Sequence, residues 1–179
     1  MIAIRHATLS DVPAIEDLLA PEITRGTVLP RTVTYEHFIV ALSDERLVGA
    51  VALSPQSSRV VELGGLVCTL RGQGLGRRLV QAAVHRAAMS GYEVVMALTA
   101  IPSFFEGAGF RVASHAPWIT AREQLAMPHP LPLAPTNDAV EAAEAKSQAC
   151  RVCPRLEGCT QALLLRPLVP KANGHLLLE

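Results

Sequence analysis

Arg71-Gly72-Gln73-Gly74-Leu75-Gly76-Arg77 lies between an apolar run, Val60 to Cys68, and a longer run with apolar residues at helical spacing: Leu79, Val80, Ala83, Val84, Ala87 and Ala88. A strand, a glycine-rich turn and a helix in that order place the chain in the α/β class. Glycines at the mouth of a helix let backbone N–H groups close on an anion, and the helix dipole favours the negative charge. The expected ligand is a diphosphate or a similar group, with Arg71, Arg77 and Arg78 adding positive charge beside it. A P-loop would end in Gly-Lys-Ser/Thr, where this chain has Gly76-Arg77-Arg78. A dinucleotide fingerprint would need a third glycine where Arg77 stands. The pattern left is Arg-x-x-Gly-x-Gly, made by Arg71, Gly74 and Gly76.

Working outward, Ser90-Gly91 stops the helix, and a β-rich run from Tyr92 to Leu98 leads to Phe104-Phe105-Glu106-Gly107-Ala108-Gly109-Phe110. Upstream, the pattern predicts a strand over 2–7 and a helix over 11–20, with a Ser10/Asp11 N-cap and Ile15, Leu18 and Leu19 inward. A loop follows over 21–35. Strands over 37–42 and 47–53 are joined by a hairpin turn at Ser43-Asp44-Glu45-Arg46, and the next strand covers 60–68. Past the loop and helix over 71–89 come a strand over 92–98, a helix over 102–108 and a strand over 110–114. Met127 to Pro135 is a Pro-rich connector, and an Ala/Glu-rich helix ends near Gln148. A strand-like run from Ala162 to Leu165 and a last one from His175 to Leu178 meet across an Asn173-Gly174 turn.

These motifs, in this order, resemble the GCN5-related N-acetyltransferase (GNAT) superfamily. Arg71-x-x-Gly74-x-Gly76 is similar to its coenzyme A pyrophosphate loop, and Phe-Phe-Glu-x-x-Gly-Phe to the short helix beside its cofactor. The opening Ile4 to Ile15, Leu29-Pro30-Arg31-Thr32, the Leu98-Thr99 pair and Pro170 to Leu178 resemble the short bacterial form of N-acetylglutamate synthase. The resemblance covers residues 2–115 and, more loosely, 161–179. It implies a mixed, mostly antiparallel sheet covered by helices on both faces. The expected organisation is one N-acetyltransferase domain, 1–179, with the connector and a cysteine-bearing insertion at about 127–160.

The same resemblance implies transfer of an acetyl group from acetyl-CoA to the α-amino group of an amino acid, glutamate above all, as in arginine biosynthesis. Leu66, Val67 and Cys68 would pair with the pantetheine arm, and Arg71, Gln73, Gly74, Leu75, Gly76 and Arg77 would hold the pyrophosphate. Arg31 matches an arginine that the synthases use for substrate carboxylate, with Thr99 beside the substrate. Glu62 is the candidate for a water-relayed general base; the other reading is a solvated strand residue. Three departures stand out. The stretch from Glu62 to Gly74 is slightly shorter than in the synthases, Ala100-Ile101 replaces a second arginine, and Phe104-Phe105 fall where many relatives place a proton-donating tyrosine. Thiolate departure without a dedicated acid, or with protonation by water, is therefore expected.

Composition agrees with a compact enzyme. Half of the 179 residues are hydrophobic and 18% are charged, with Lys plus Arg and Asp plus Glu equal at 16 each. Balanced charge gives no steering toward nucleic acid or an anionic membrane, and no apolar run is long enough for a spanning helix. With no apolar segment behind Arg5 and His6, a cytoplasmic location is expected. A homodimer is left open. Cys150-x-x-Cys153 with Cys159 suggests a metal site, zinc or an iron–sulfur cluster, with His175, His129 or Cys68 as a fourth ligand; the alternative is a set of apolar cysteines. Two other functions fit the residues: acetylation of a different amine, such as a metabolite or peptide terminus, and a non-catalytic CoA- or metal-responsive regulator.

Overall fold

The computed structural model describes residues 1–114 and 159–168. Seven strands, β1 (Ile2–His6), β2 (Phe38–Ser43), β3 (Arg46–Pro55), β4 (Val60–Cys68), β5 (Val94–Thr99), β6 (Arg111–Ser114) and β7 (Ala162–Pro167), form a sheet in the order β1-β2-β3-β4-β5-β7-β6. Every pairing described residue by residue is antiparallel. The described residues divide into two compact units, 1–54 with 62–86 and 55–61 with 87–114 and 159–168.

In the first unit, β1 (Ile2–His6) pairs with β2 (Phe38–Ser43), and β2 with β3 (Arg46–Pro55). The β2–β3 turn is the expected hairpin, with Asp44 and Glu45 both left-handed at φ 47° and 67°. Such a two-residue turn matches the twist of the strands it joins. Ala41 faces Gly49 while Leu42 faces Leu47, so Val48 is an extra residue, a bulge in β3.

Helix α1 (Val12–Arg25) buries Ile15 and Leu19, and Leu18 is half-buried beside them. It runs past the expected end at residue 20, through Pro21. The true stop is Gly26, left-handed at φ 76°, whose N–H reaches the Glu22 and Ile23 carbonyls. Thr27 adds a backbone and a hydroxyl bond to the Glu22 carbonyl. A glycine C-cap satisfying several last-turn carbonyls outweighs the one backbone bond that a proline removes. The N-terminal expectation also needs correction. Asp11 occupies the N-cap position without capping the helix; its carboxylate instead takes two bonds from Arg5, at 2.7 and 2.9 Å, and one from the Thr8 N–H. The Arg5 guanidinium holds the Asp11 carboxyl far below its usual range.

β4 (Val60–Cys68) matches the expected strand, and α2 (Leu75–Met89) buries Leu75, Leu79, Val80, Ala83, Val84 and Ala87. This is the apolar face that the helical spacing marked, except that Ala88 is only half-buried.

In the second unit, β5 (Val94–Thr99) and β6 (Arg111–Ser114) flank β7 (Ala162–Pro167). β5 begins two residues later than the sequence suggests, because the Tyr92 N–H closes the end of α2 on the Ala87 carbonyl. Helix α3 (Pro102–Glu106) is shorter than expected, and Gly109 turns the chain at φ 85°. Phe105 and Phe110, both buried, meet edge to face at 5.4 Å. The Arg166 guanidinium lies against Gly109 and donates to the Ala108 carbonyl. Among the described residues no helix is long and apolar enough to cross a membrane. The Pro-rich connector, the Ala/Glu-rich helix and the His175–Leu178 run lie outside the described residues.

Candidate active site

The glycine-rich turn sits where β4 hands over to α2, all within the first unit. Gly72 and Gly74 are left-handed, at φ 75° and 70°, and a Cβ on either would meet nothing within 4 Å. These residues are glycine for their backbone, and the space in front of them is open. The Gly74 carbonyl accepts the Arg78 N–H at 3.1 Å, the first bond of the helix. The N–H groups of Leu75 and Gly76 therefore have no intrahelical acceptor and point out of the helix start. Arg71, Arg77 and Arg78 are exposed around it, and Gln73 is exposed within it. The arrangement suits a pyrophosphate: backbone donors, a helix N-terminus and cations around open space.

Upstream, Glu62 is buried, 6% exposed, among the apolar residues of β4. Burial excludes the solvated-strand reading of this carboxylate. Gly65 is left-handed at φ 57°, so the strand is distorted at the Gly64-Gly65 pair. The Arg31 guanidinium lies directly on that pair. A Cβ on Gly64 would come within 2.7 Å of Arg31 Nη2, and one on Gly65 within 3.5 Å of the guanidinium. The loop that sequence reading left without structure thus carries Arg31 to β4. Burial lowers the Arg31 pKa, and the negative charge of Glu62 raises it; an arginine so placed stays cationic at any neutral pH. Its Nε is buried with no hydrogen-bond partner among the described residues. A buried, unmatched donor on a cation is costly unless a ligand meets it.

Val67 is buried, and Leu66 and Cys68 are half-buried beyond the glycine pair. Burial pushes the Cys68 thiol up, so it stays protonated near neutrality and makes a poor nucleophile. Thr99, in the second unit, is buried at 7% exposure, and its hydroxyl accepts the Ile101 N–H at 3.1 Å. That bond shapes the entry into α3, a local role the sequence did not suggest. Cys159 is half-buried and forms no disulfide among the described residues. Cys150 and Cys153 lie outside them, and no metal-ligand cluster occurs within them.

Sequence reasoning missed Gly49. A Cβ there would come 2.9 Å from Leu79 Cδ1, 3.2 Å from the Val67 carbonyl oxygen and 3.4 Å from Cys68 Sγ. Nothing local to an apolar strand such as Leu47 to Leu53 marks a glycine that is required for space.

Residues 34–112 match the acetyltransferase (GNAT) domain family, a stretch that includes parts of both compact units. That match covers less than half of the chain. Among solved structures it is similar to N-acetylglutamate synthase from Neisseria gonorrhoeae complexed with coenzyme A and N-acetyl-glutamate. The TM-score is 0.70 and the identity 22%, over 94% of this chain and 35% of that one. The same synthase with coenzyme A and L-arginine gives 0.62 and 20%, over 93% and 33%. Rv2747 from Mycobacterium tuberculosis, in complex with CoA and NLQ, gives 0.68 and 21%, over 93% and 99%. The chain thus spans about a third of the Neisseria synthase and nearly all of the Mycobacterium protein. At these identities the likeness concerns the fold. No curated protein matches the sequence.

Proposed function

We propose that this chain is an acetyl-CoA-dependent N-acetyltransferase acting on the α-amino group of an amino acid, with glutamate the favoured acceptor. The observation that carries the reading is Arg31: a cation with a buried, unmatched Nε, seated on the Gly64-Gly65 distortion between Glu62 and the Leu66–Cys68 strand. A carboxylate ligand would supply the missing acceptor, and guanidinium is the side chain best suited to bind one. Neighbours solved with N-acetyl-glutamate or NLQ beside coenzyme A support an amino-acid-like substrate.

Acetyl-CoA supplies the acetyl group as a thioester. The Gly72–Gly76 turn and the start of α2 would hold its pyrophosphate, and the backbone of Leu66, Val67 and Cys68 its pantetheine arm. Arg31 would fix the acceptor's carboxylate, so that its amine lies near the same strand. Attack by the amine forms the amide bond and breaks the thioester bond. The proton shed by the amine passes to Glu62, directly or through water, and the departing sulfur takes its proton from solvent. Holding two reactants in line supplies most of such an acceleration. Phe105 is packed on Phe110 in the second unit and donates nothing.

Two further proposals rest on sequence. The two compact units make one acetyltransferase domain, as the span of the family match across both suggests. The segment Cys150 to Cys159 holds a zinc ion or an iron–sulfur cluster, which elemental analysis of anaerobically purified protein tests directly.

The activity is tested by acetyl-CoA-dependent thiol release over a panel of amino acids and simple amines. Arg31→Ala is expected to raise the KM for glutamate about tenfold, the loss of one charge-assisted pair, with the KM for acetyl-CoA unchanged. Glu62→Gln is expected to lower kcat about a hundredfold. Equal rates on glutamate and on an amine lacking a carboxylate would replace the amino-acid reading with acetylation of another amine.

A further inference from the structure

Gly49 does not have a left-handed backbone, so its conformation is one that any residue can adopt. What it lacks is room. It lies in β3 next to the Val48 bulge, and three groups crowd the place its Cβ would take: the Val67 carbonyl, Cys68 Sγ and Leu79 Cδ1. Two of these belong to the end of β4, and the third lies on the buried face of α2, one turn past Leu75. The bulge residue also holds the end of β4. The Val48 carbonyl accepts both the backbone N–H of Thr69, at 2.9 Å, and its hydroxyl, at 3.2 Å. Residues 48 and 49 therefore hold the last residues of β4 and the first turns of α2 at once.

We infer that Gly49, with Val48 and Thr69, is a positioning device that sets the Val67–Cys68 backbone relative to the Leu75 end of α2. This rests on the proposal that the former carries the pantetheine arm and the latter the pyrophosphate. A methyl group at position 49 meets a backbone oxygen at 3.2 Å, which cannot swing aside as a side chain can. Relief requires β4 or α2 to shift. The two halves of CoA are then held out of register, although each half-site stays intact. Gly49 touches neither reactant; it acts through the strand and the helix.

The test uses the full chain and two probes, CoA and 3′-phospho-ADP, which is the nucleotide half of CoA without its pantetheine arm. In Gly49→Ala, CoA affinity by calorimetry is expected to fall about tenfold, toward that of the fragment. Affinity for 3′-phospho-ADP is expected to stay unchanged. Thr69→Val, which removes only the hydroxyl bond to Val48, keeps the proposal testable should Gly49→Ala fold poorly; CoA affinity is then expected to fall about threefold, again with the fragment unaffected. A double variant, Gly49→Ala with Leu79→Val, is expected to stay weak, because the Val67 carbonyl contact persists. Loss of CoA and fragment binding in equal measure would overturn the inference, as would unchanged CoA affinity in folded Gly49→Ala and Thr69→Val. Both outcomes leave the acetyltransferase reading standing. A wild-type chain that binds neither probe removes both.

Discussion

The first unit uses glycine in two opposite ways within a short stretch of chain. At Gly72 and Gly74 the backbone is left-handed and the surroundings are empty. At Gly64 the surroundings are filled by the Arg31 guanidinium, and the backbone is not left-handed. The turn glycines shape a surface that a ligand can enter, whereas the strand glycine makes room for a side chain of the protein itself. Mutation should therefore read differently at the two places: through conformation at the turn and through volume at the strand.

The largest effect is expected at the turn. Gly74→Val forces a β-branched residue to φ 70°, a strain of about 1–3 kcal/mol that the helix start can relieve by giving up the turn. CoA affinity should fall on the order of thirtyfold. Gly74→Asn tolerates the left-handed region and, with nothing nearby to clash, should stay within about threefold of the wild type. Calorimetry on both variants checks the claim. A loss as large in the Asn variant as in the Val variant would mean that volume matters at the turn as well, and the contrast with the strand would collapse.

At the strand the expected effect is smaller and falls on the other substrate. Gly64→Ala brings a methyl group within 2.7 Å of Arg31 Nη2, the far end of a flexible side chain, so the guanidinium moves rather than β4. The KM for glutamate should rise about tenfold while the KM for acetyl-CoA holds. Because Gly64→Ala acts through Arg31, it should add little to Arg31→Ala in the double variant, and that non-additivity is the signature to measure. Additive losses would show that Gly64 works through the strand instead.

Why the turn was legible in sequence and the Arg31 seat was not follows from the same contrast. A conformational glycine has a local signature: it clusters with others at the junction of two periodic runs, as Gly72 and Gly74 do between the strand pattern and the helix pattern. The buried face of α2 is equally local, since Leu79, Val80, Ala83 and Val84 repeat at the helix period. A spatial glycine depends on a residue far away in the chain. Arg31 and Gly64, or Gly49 and Val67, become neighbours only once β3 and β4 and the loop before β2 are in place. The family resemblance pointed to Arg31 and Glu62 as a substrate cation and a base, but their shared setting around Gly64-Gly65 needed coordinates. The passage of α1 through Pro21 was hidden for a related reason. The C-cap that outweighs the proline depends on Gly26 and Thr27 folding back on Glu22, and nothing in the apolar period announces that.

The smallest expected effect comes from a third case, left-handed residues that are not glycine. Asp44 and Glu45 form the two-residue turn between β2 and β3 at φ 47° and 67°, where hairpins of this type prefer Asn-Gly. Glu45, exposed at the turn, bears the cost of a Cβ in that region, about 1 kcal/mol. Glu45→Gly should therefore stabilise the fold by about that amount and raise Tm by roughly 2–4 °C for a chain of this size. Asp44 is best left in place, since its ion pair with the N-terminal ammonium, at 3.6 Å and almost fully exposed, contributes little either way. Glu45→Ala is the control: it retains a Cβ and should leave Tm nearly unchanged. CoA and glutamate kinetics should not move in either variant. A Tm that rises equally in both variants would assign the gain to the lost carboxylate, so that conformation alone would no longer account for what glycine does at an open turn. A rise confined to the glycine variant would fix the size of the purely conformational effect, against which the losses at Gly74 and Gly64 can be judged.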